Sequence, residues 1–140
     1  GADLLVSVLA DHAAGTIQPT TQDDESATVS RILKRSDGAI DWRWTAEDIE
    51  RRLRAFYPWP GAFTTLGGKN LKILAAVVAD EPSAGVGEAG SVLVVDNRIM
   101  VATGKGMLEL TRLQLEGRRP AEASELIRGY PALDGGVLGS

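Results

Sequence analysis

The segment Arg54-Ala55-Phe56-Tyr57-Pro58-Trp59-Pro60-Gly61-Ala62 constrains this chain more than any other stretch of it. Each proline fixes its own φ at about −65° and moves the residue before it out of the helical region. The arginine-rich helix that leads into this corner must therefore stop by Tyr57, and the chain must leave extended. Gly61 then permits close backbone approach as a strand begins. So rigid a corner joins two packed elements.

With 140 residues the chain holds one domain, or one small domain plus an appendage. A hydrophobic fraction of 44% suffices for a modest core. No apolar run reaches the length that spans a bilayer, and the start, Gly1-Ala2-Asp3-Leu4-Leu5, lacks the basic region of a signal peptide. Cysteine is absent, which excludes disulfides and thiolate metal sites. A cytoplasmic protein without membrane contact is the expectation.

Net charge is −4, but the acids are unevenly placed. Asp3, Asp11, Asp23, Asp24 and Glu25 lie in the first 25 residues, which hold no Lys or Arg. From Arg31 onward fifteen cations stand against fourteen acids, a net of +1. Any basic surface must come from local clustering.

Periodicity predicts a helix over 3–14, with Leu5, Val8, Leu9 and His12 on one face and Gly15 as its stop. Residues 15–28 are polar and turn-rich and read as a linker. Val29–Leu33 suggests a short strand, Ser36-Asp37-Gly38 a turn, and Ile40-Asp41-Trp42 an extended run. Thr45 caps a helix over 46–57 whose buried stripe is Ala46, Ile49, Leu53 and Phe56.

From residue 61 the pattern becomes β. Ala62–Leu66 and Lys69–Ala79 flank Gly67-Gly68, a two-residue turn whose central positions both require positive φ. Pro82–Gly90 reads as a loop. Ser91–Val95 and Arg98–Thr103 flank a second tight turn at Asp96-Asn97, and Gly104-Lys105-Gly106 leads into Met107–Leu115. A short helix is expected near 120–129, with Pro120 in its first turn, and the tail 132–140 reads as loosely held. The expected fold is α+β and mainly β: a five-stranded OB-like barrel with flanking helices, preceded by a helix and a linker.

Catalytic chemistry finds little support. His12 is the only histidine and sits on an apolar helix face, the place for packing or capping. Triads lack partners, metal-ligand spacings are missing, and the glycines do not follow a strand into a helix as a phosphate loop would. Asp80-Glu81 reads as a turn rather than an acid/base pair. The chain is not expected to be an enzyme by itself.

Cations are better candidates. Arg51, Arg52 and Arg54 each follow an acid by four residues, so they form either a solvated paired face or a phosphate-contacting one. Arg118 and Arg119 follow Gly117 between the last strand and the final helix. Lys105 sits between two glycines at a turn tip, and Lys69 and Lys72 begin the long strand. Loop-borne cations of this kind suit sequence-independent, salt-sensitive contacts with phosphates. Trp42, Trp44 and Trp59 are stacking platforms or packing residues. Trp59, between two prolines, reads as a packed wedge, and Trp42 and Trp44 as cover for the barrel or helix.

Taken in order, three motifs resemble the C-terminal part of methionyl-tRNA formyltransferases. They are Asp37-Gly38-Ala39-Ile40-Asp41-Trp42; Ile49 through Ala62; and Val101-Ala102-Thr103-Gly104-Lys105-Gly106-Met107-Leu108-Glu109-Leu110 with Leu113-Gln114 and Gly117-Arg118-Arg119. The resemblance implies that residues 1–14 are the end of a catalytic domain, 15–28 an interdomain linker, and 29–140 an OB-like domain that grips initiator methionyl-tRNA. The implied partners are that tRNA and the catalytic domain. The one-carbon donor of the complete enzyme, 10-formyltetrahydrofolate, would bind that catalytic domain, and no cofactor is expected in this chain. By the same resemblance Arg118, Arg119 and Lys105 are tRNA contacts, and Lys69, Lys72, Arg51 and Arg54 are further ones. Family members often carry a more basic domain, so weak tRNA affinity is expected here. Two other functions remain: a structural C-terminal module of a related sugar formyltransferase or formyltetrahydrofolate hydrolase, and a free-standing single-strand binder. The latter would need stacking aromatics on its strands, which are missing after Phe63.

Overall fold

A computed structural model describes residues 1–79 and 87–139, with Ala132 described by its backbone alone. Asp80, Glu81 and most of the Pro82–Gly90 loop lie outside the described residues. Two compact units are distinguished, Gly1–Ile32 and Leu33–Ser140.

The first unit holds helix α1 (Ala2–Ala13) and a 3-10 turn at Asp24–Ser26 whose Asp23 cap accepts from the Glu25 amide. No residue of α1 is buried, His12 and the apolar stripe included. The strand expected at Val29–Leu33 does not form.

The second unit begins with a 3-10 turn at Arg35–Gly38 and continues into helix α2 (Ala46–Ala55). Thr45 caps α2 by accepting from the Asp48 amide at 3.1 Å, as the sequence suggested. Six strands follow among the described residues: β1 (Ala62–Leu66), β2 (Lys69–Val78), β3 (Val92–Val95), β4 (Arg98–Ala102), β5 (Met107–Leu115) and β6 (Ala121–Glu122). Both predicted hairpin turns carry the required backbone: φ is +54° and +74° at Gly67 and Gly68, and +49° and +62° at Asp96 and Asn97. All strand pairs are antiparallel in the order β1-β2-β5-β4-β3, with β6 also on β5. Pro120 does not open a helix. Ala121 and Glu122 pair with Leu113 and Arg112 instead, and helix α3 occupies Ala123–Gly129.

The C-terminal tail is not loose. Leu133 and Leu138 are buried, the Leu138 amide donates to the Gly90 carbonyl at 2.8 Å, and the Gly139 amide to that of Thr65 at 3.0 Å. Bridges from Leu138 to Leu66 and from Val137 to Ser91 thus join the two free edges of the sheet. The result is α+β, mainly β, and barrel-like. The sequence conceals this because Gly135, Gly136 and Gly139 look like a flexible end, yet here they supply backbone to unpaired edges.

The core gathers inward residues of every long strand, among them Leu71, Val101, Leu108 and Leu113, with Ile49 from α2 and Leu126 from α3. Asp41 to Trp44 is a turn rather than an extended run, closed by the Trp44 amide on the Asp41 carbonyl at 3.1 Å. Trp42 therefore enters the core while Trp44 lies half-buried against it.

Because Leu138 is buried and its strand closes the sheet, Leu138→Ala is expected to destabilise the domain by about 2–5 kcal/mol. Urea unfolding followed by far-ultraviolet circular dichroism checks this; a midpoint equal to that of the parent chain would show that the tail does not close the sheet in solution.

Candidate nucleic-acid interface

The seven cations singled out in the sequence fall into three places. Arg51 and Arg54 lie on α2, and both are paired. Arg51 bonds Asp48 at 2.7 Å, one turn position nearer than the expected Glu47, and Arg54 bonds Glu50 at 2.6 Å. Arg52 does not take Asp48. Its guanidinium donates to the Asp37 carbonyl at 3.2 Å and lies over the rings of Trp44 and Phe56, at 4.3 and 4.9 Å from their centroids. Arg52 is thus a packing residue that ties α2 to the turn before it.

Lys105 stands alone. Its backbone is not free at a hairpin tip: its carbonyl accepts the Ala46 amide at 3.0 Å, so the β4–β5 turn holds the start of α2. The Lys105 side chain remains exposed. It lies at the opposite end of β5 from Arg118, and that nine-residue strand is about 26 Å long.

Lys69, Lys72, Arg118 and Arg119 form the third place. Leu71 pairs with Leu115 and Lys72 with Gln114, which brings the start of β2 beside the end of β5. The Glu116 amide donates to the Asn70 carbonyl at 2.9 Å and continues that ladder to the Gly117 turn. Gln114 Nε2 donates to the Arg118 carbonyl at 2.9 Å and fixes the turn from the other side. All four side chains are exposed, and none makes an ion pair or a side-chain hydrogen bond among the described residues. Glu116 is the neighbouring acid, with its carboxylate on the Asn70 amide at 3.0 Å.

Two concavities flank this corner of the sheet. A smaller one of about 190 Å³ is lined by Arg118, Arg119 and Tyr130. The larger, about 350 Å³, lies between the proline corner and β2, with Lys72 and Gln114 along one wall. Its other wall corrects a sequence expectation. Trp59 is not a buried wedge: it is 57% exposed and Tyr57 is 77% exposed, both lining the cleft. Arg35 also lines it and was missed. The available signal was the Lys34-Arg35 doublet just before the Ser36-Asp37-Gly38 turn.

The corner itself is built as its sequence requires. Helix α2 ends at Ala55, two residues before Tyr57, and the Gly61 amide returns to the Phe56 carbonyl at 3.0 Å. The Tyr57–Pro58 and Trp59–Pro60 bonds are cis. The chain then joins the 33–40 segment, where the Ile40 amide donates to the Phe63 carbonyl at 2.9 Å. Arg35 and the aromatic residues therefore sit on segments braced against one another.

Among the described residues, no three His, Asp or Glu side chains converge as a metal site requires. Asp41 accepts from the Arg43 guanidinium at 2.7 and 2.9 Å and from the Arg43 amide at 3.0 Å, and its pKa falls to about 2. A depressed folded-state value stabilises above the ordinary carboxylate range, and that contribution vanishes as pH falls through about 2. Carboxyl carbon chemical shifts measured against pH are expected to place Asp41 at about 2, and Arg43→Ala to return it toward the usual range.

Comparison with known proteins places these features in a family. Residues 32–131 match the model of the formyl transferase C-terminal domain. Methionyl-tRNA formyltransferase of Gluconacetobacter diazotrophicus is 46% identical over 140 residues, all of this chain and 44% of that protein. The enzyme of the same name from Sorangium cellulosum is 42% identical over 126 residues, 89% of this chain and 40% of that protein. The chain thus spans less than half the length of these relatives. HypX of Aquifex aeolicus, in a variant form, shares the fold with a TM-score of 0.66 at 18% identity, over 93% of this chain and 23% of that one. On the match to most of its length, the chain belongs to the formyl transferase C-terminal domain family.

Proposed function

We propose that this chain is the tRNA-positioning C-terminal part of a methionyl-tRNA formyltransferase, active in translation initiation in the cytoplasm. The exposed, unpaired cation group Lys69, Lys72, Arg118 and Arg119 at one corner of the sheet carries the reading. Phosphate contacts from such residues position an RNA without reading its sequence. Lys105 would meet the backbone at a separate point. Arg51 and Arg54 are lesser contributors, because each would have to give up a carboxylate partner first.

In this reading the formyl group of 10-formyltetrahydrofolate is transferred by residues of the part of the family architecture that this chain does not span. What this chain supplies is grip and orientation. The exposed apolar residues of α1, including Leu4, Leu5 and Leu9, support a role for residues 1–14 as the edge of that catalytic part. Residues 15–28 would then be the linker. Among the described residues no helix is long and apolar enough to cross a membrane.

The near-neutral body and its few unpaired cations set the affinity. Dissociation constants of about 10⁻⁴–10⁻⁶ M at physiological salt are expected, the ordinary range for phosphate-driven binding. Titrating initiator tRNA at two salt concentrations tests this, and no binding at low salt would remove the proposal. Replacing Arg118 and Arg119 together by alanine is expected to reduce the salt slope by up to about two. An unchanged slope would put the contact surface elsewhere.

A further inference from the structure

The cleft at the proline corner has a composition the rest of the chain does not explain. No acid among the described residues lines this cleft, whereas Arg35 and Lys72 both do. Both cations are exposed, and neither has an ion-pair partner among the described residues. Beside them stand two large aromatic side chains, Tyr57 and Trp59, that fold no core. Leaving two such rings in water forgoes burial that would contribute about 1.5–3 kcal/mol for each comparable side chain. The prolines following each ring restrict its backbone, so little ordering would remain to be done on binding.

The polar groups of the cleft suit the same ligand. Gln114 and Asn70 line it, and Gln114 spends one amide hydrogen on the Arg118 carbonyl, leaving its oxygen and a second hydrogen for another partner. Carboxamides beside aromatic faces meet the edge of a nucleobase, and cations meet its phosphate. A volume of about 350 Å³ lies within the range of pockets that hold small organic ligands.

We propose that this cleft is a subsite for one unpaired nucleotide of an RNA strand, its base stacked on Trp59 and its phosphate against Arg35 and Lys72. The inference deepens the RNA-binding reading above and adds to it a preference for single-stranded over paired segments. Stacking is sequence-tolerant, since every base presents a π-face.

Anisotropy of end-labelled RNA gives the affinities of parent and variants, and tryptophan emission reports the contact in the parent chain, because Trp42 is buried, Trp44 is half-buried, and Trp59 faces solvent. The 140-residue chain is titrated with a short single-stranded oligoribonucleotide, a blunt RNA duplex of the same charge, and adenosine 5′-monophosphate. The single strand is expected to quench emission and to bind about five-fold or more tighter than the duplex. Trp59→Leu should weaken single-strand binding about ten-fold and leave the duplex unchanged. Lys72→Ala, which leaves both rings in place, should lower the single-strand salt slope by about one.

Equal affinity for strand and duplex overturns the proposal, as does single-strand affinity unmoved by Trp59→Leu. Mononucleotide binding as tight as the strand would assign the cleft to free nucleotides instead. Intact tRNA that binds equally well to Trp59→Leu and to the parent chain removes this subsite while leaving the broader reading intact. A chain that binds the single strand through Trp59 but ignores tRNA supports the subsite and removes the broader reading.

Discussion

Trp42 is the point at which the domain is tied together. Its indole ring is 4% exposed, and its Nε1 donates to Thr64 Oγ1 on β1 at 3.0 Å. Its carbonyl accepts the Gly104 amide from the β4–β5 turn at 2.8 Å. The Trp42 ring also lies beside Gly90 and Gly139, where a Cβ would come within 3.5 and 3.4 Å of it. One residue thus meets the first strand, the turn before β5, the approach to β3 and the closing tail. A buried indole needs a partner for its N–H, and Thr64, the one buried polar side chain among the described residues, provides it. Gly104 shows how tightly the crossing is drawn, because a Cβ there would collide with the Arg43 carbonyl.

That crossing sets where α2 begins, and the proline corner sets where it ends. The Ala46 amide is held by Lys105 and the Phe56 carbonyl by Gly61, so α2 spans two anchored points. Arg52 fastens its middle to the turn at Asp37. The aromatic residues after the helix are consequently presented from a fixed scaffold and not from a mobile loop. Function in such folds comes from sites supported by the frame rather than from the frame itself. Here the frame holds Arg35, Tyr57 and Trp59 on one side of a cleft and the β2 and β5 side chains on the other.

Local chemistry made much of this legible. Thr45 as a cap and Gly67-Gly68 and Asp96-Asn97 as turns each follow from neighbours in sequence. What failed was non-local. The tail looked loose because its partners, Thr65, Gly90 and Ser91, lie 46 to 74 residues away. Ala121-Glu122 looked helical because Pro120 reads as a first-turn residue, but pairing with Leu113 and Arg112 outweighs that signal. Trp59 looked buried because two prolines suggest packing, whereas they fix its backbone without saying which way the ring faces. The cations followed the same division. Arg54 took the acid one helical turn back, while Arg52 left its local partner for two aromatic rings.

Net charge is a poor guide to what this surface can hold. A chain at −4 repels a polyanion at long range, but the field that matters near contact comes from charges within about 8–10 Å at physiological salt. Within the domain, Asp41, Asp48, Glu50, Glu109 and Glu122 each neutralise an arginine. The cations left unpaired at the β2–β5 corner and in the cleft then stand out against a compensated background. Selecting where cations remain unpaired, rather than adding more of them, directs an anion to one place. It also keeps the attraction weak enough to be reversed.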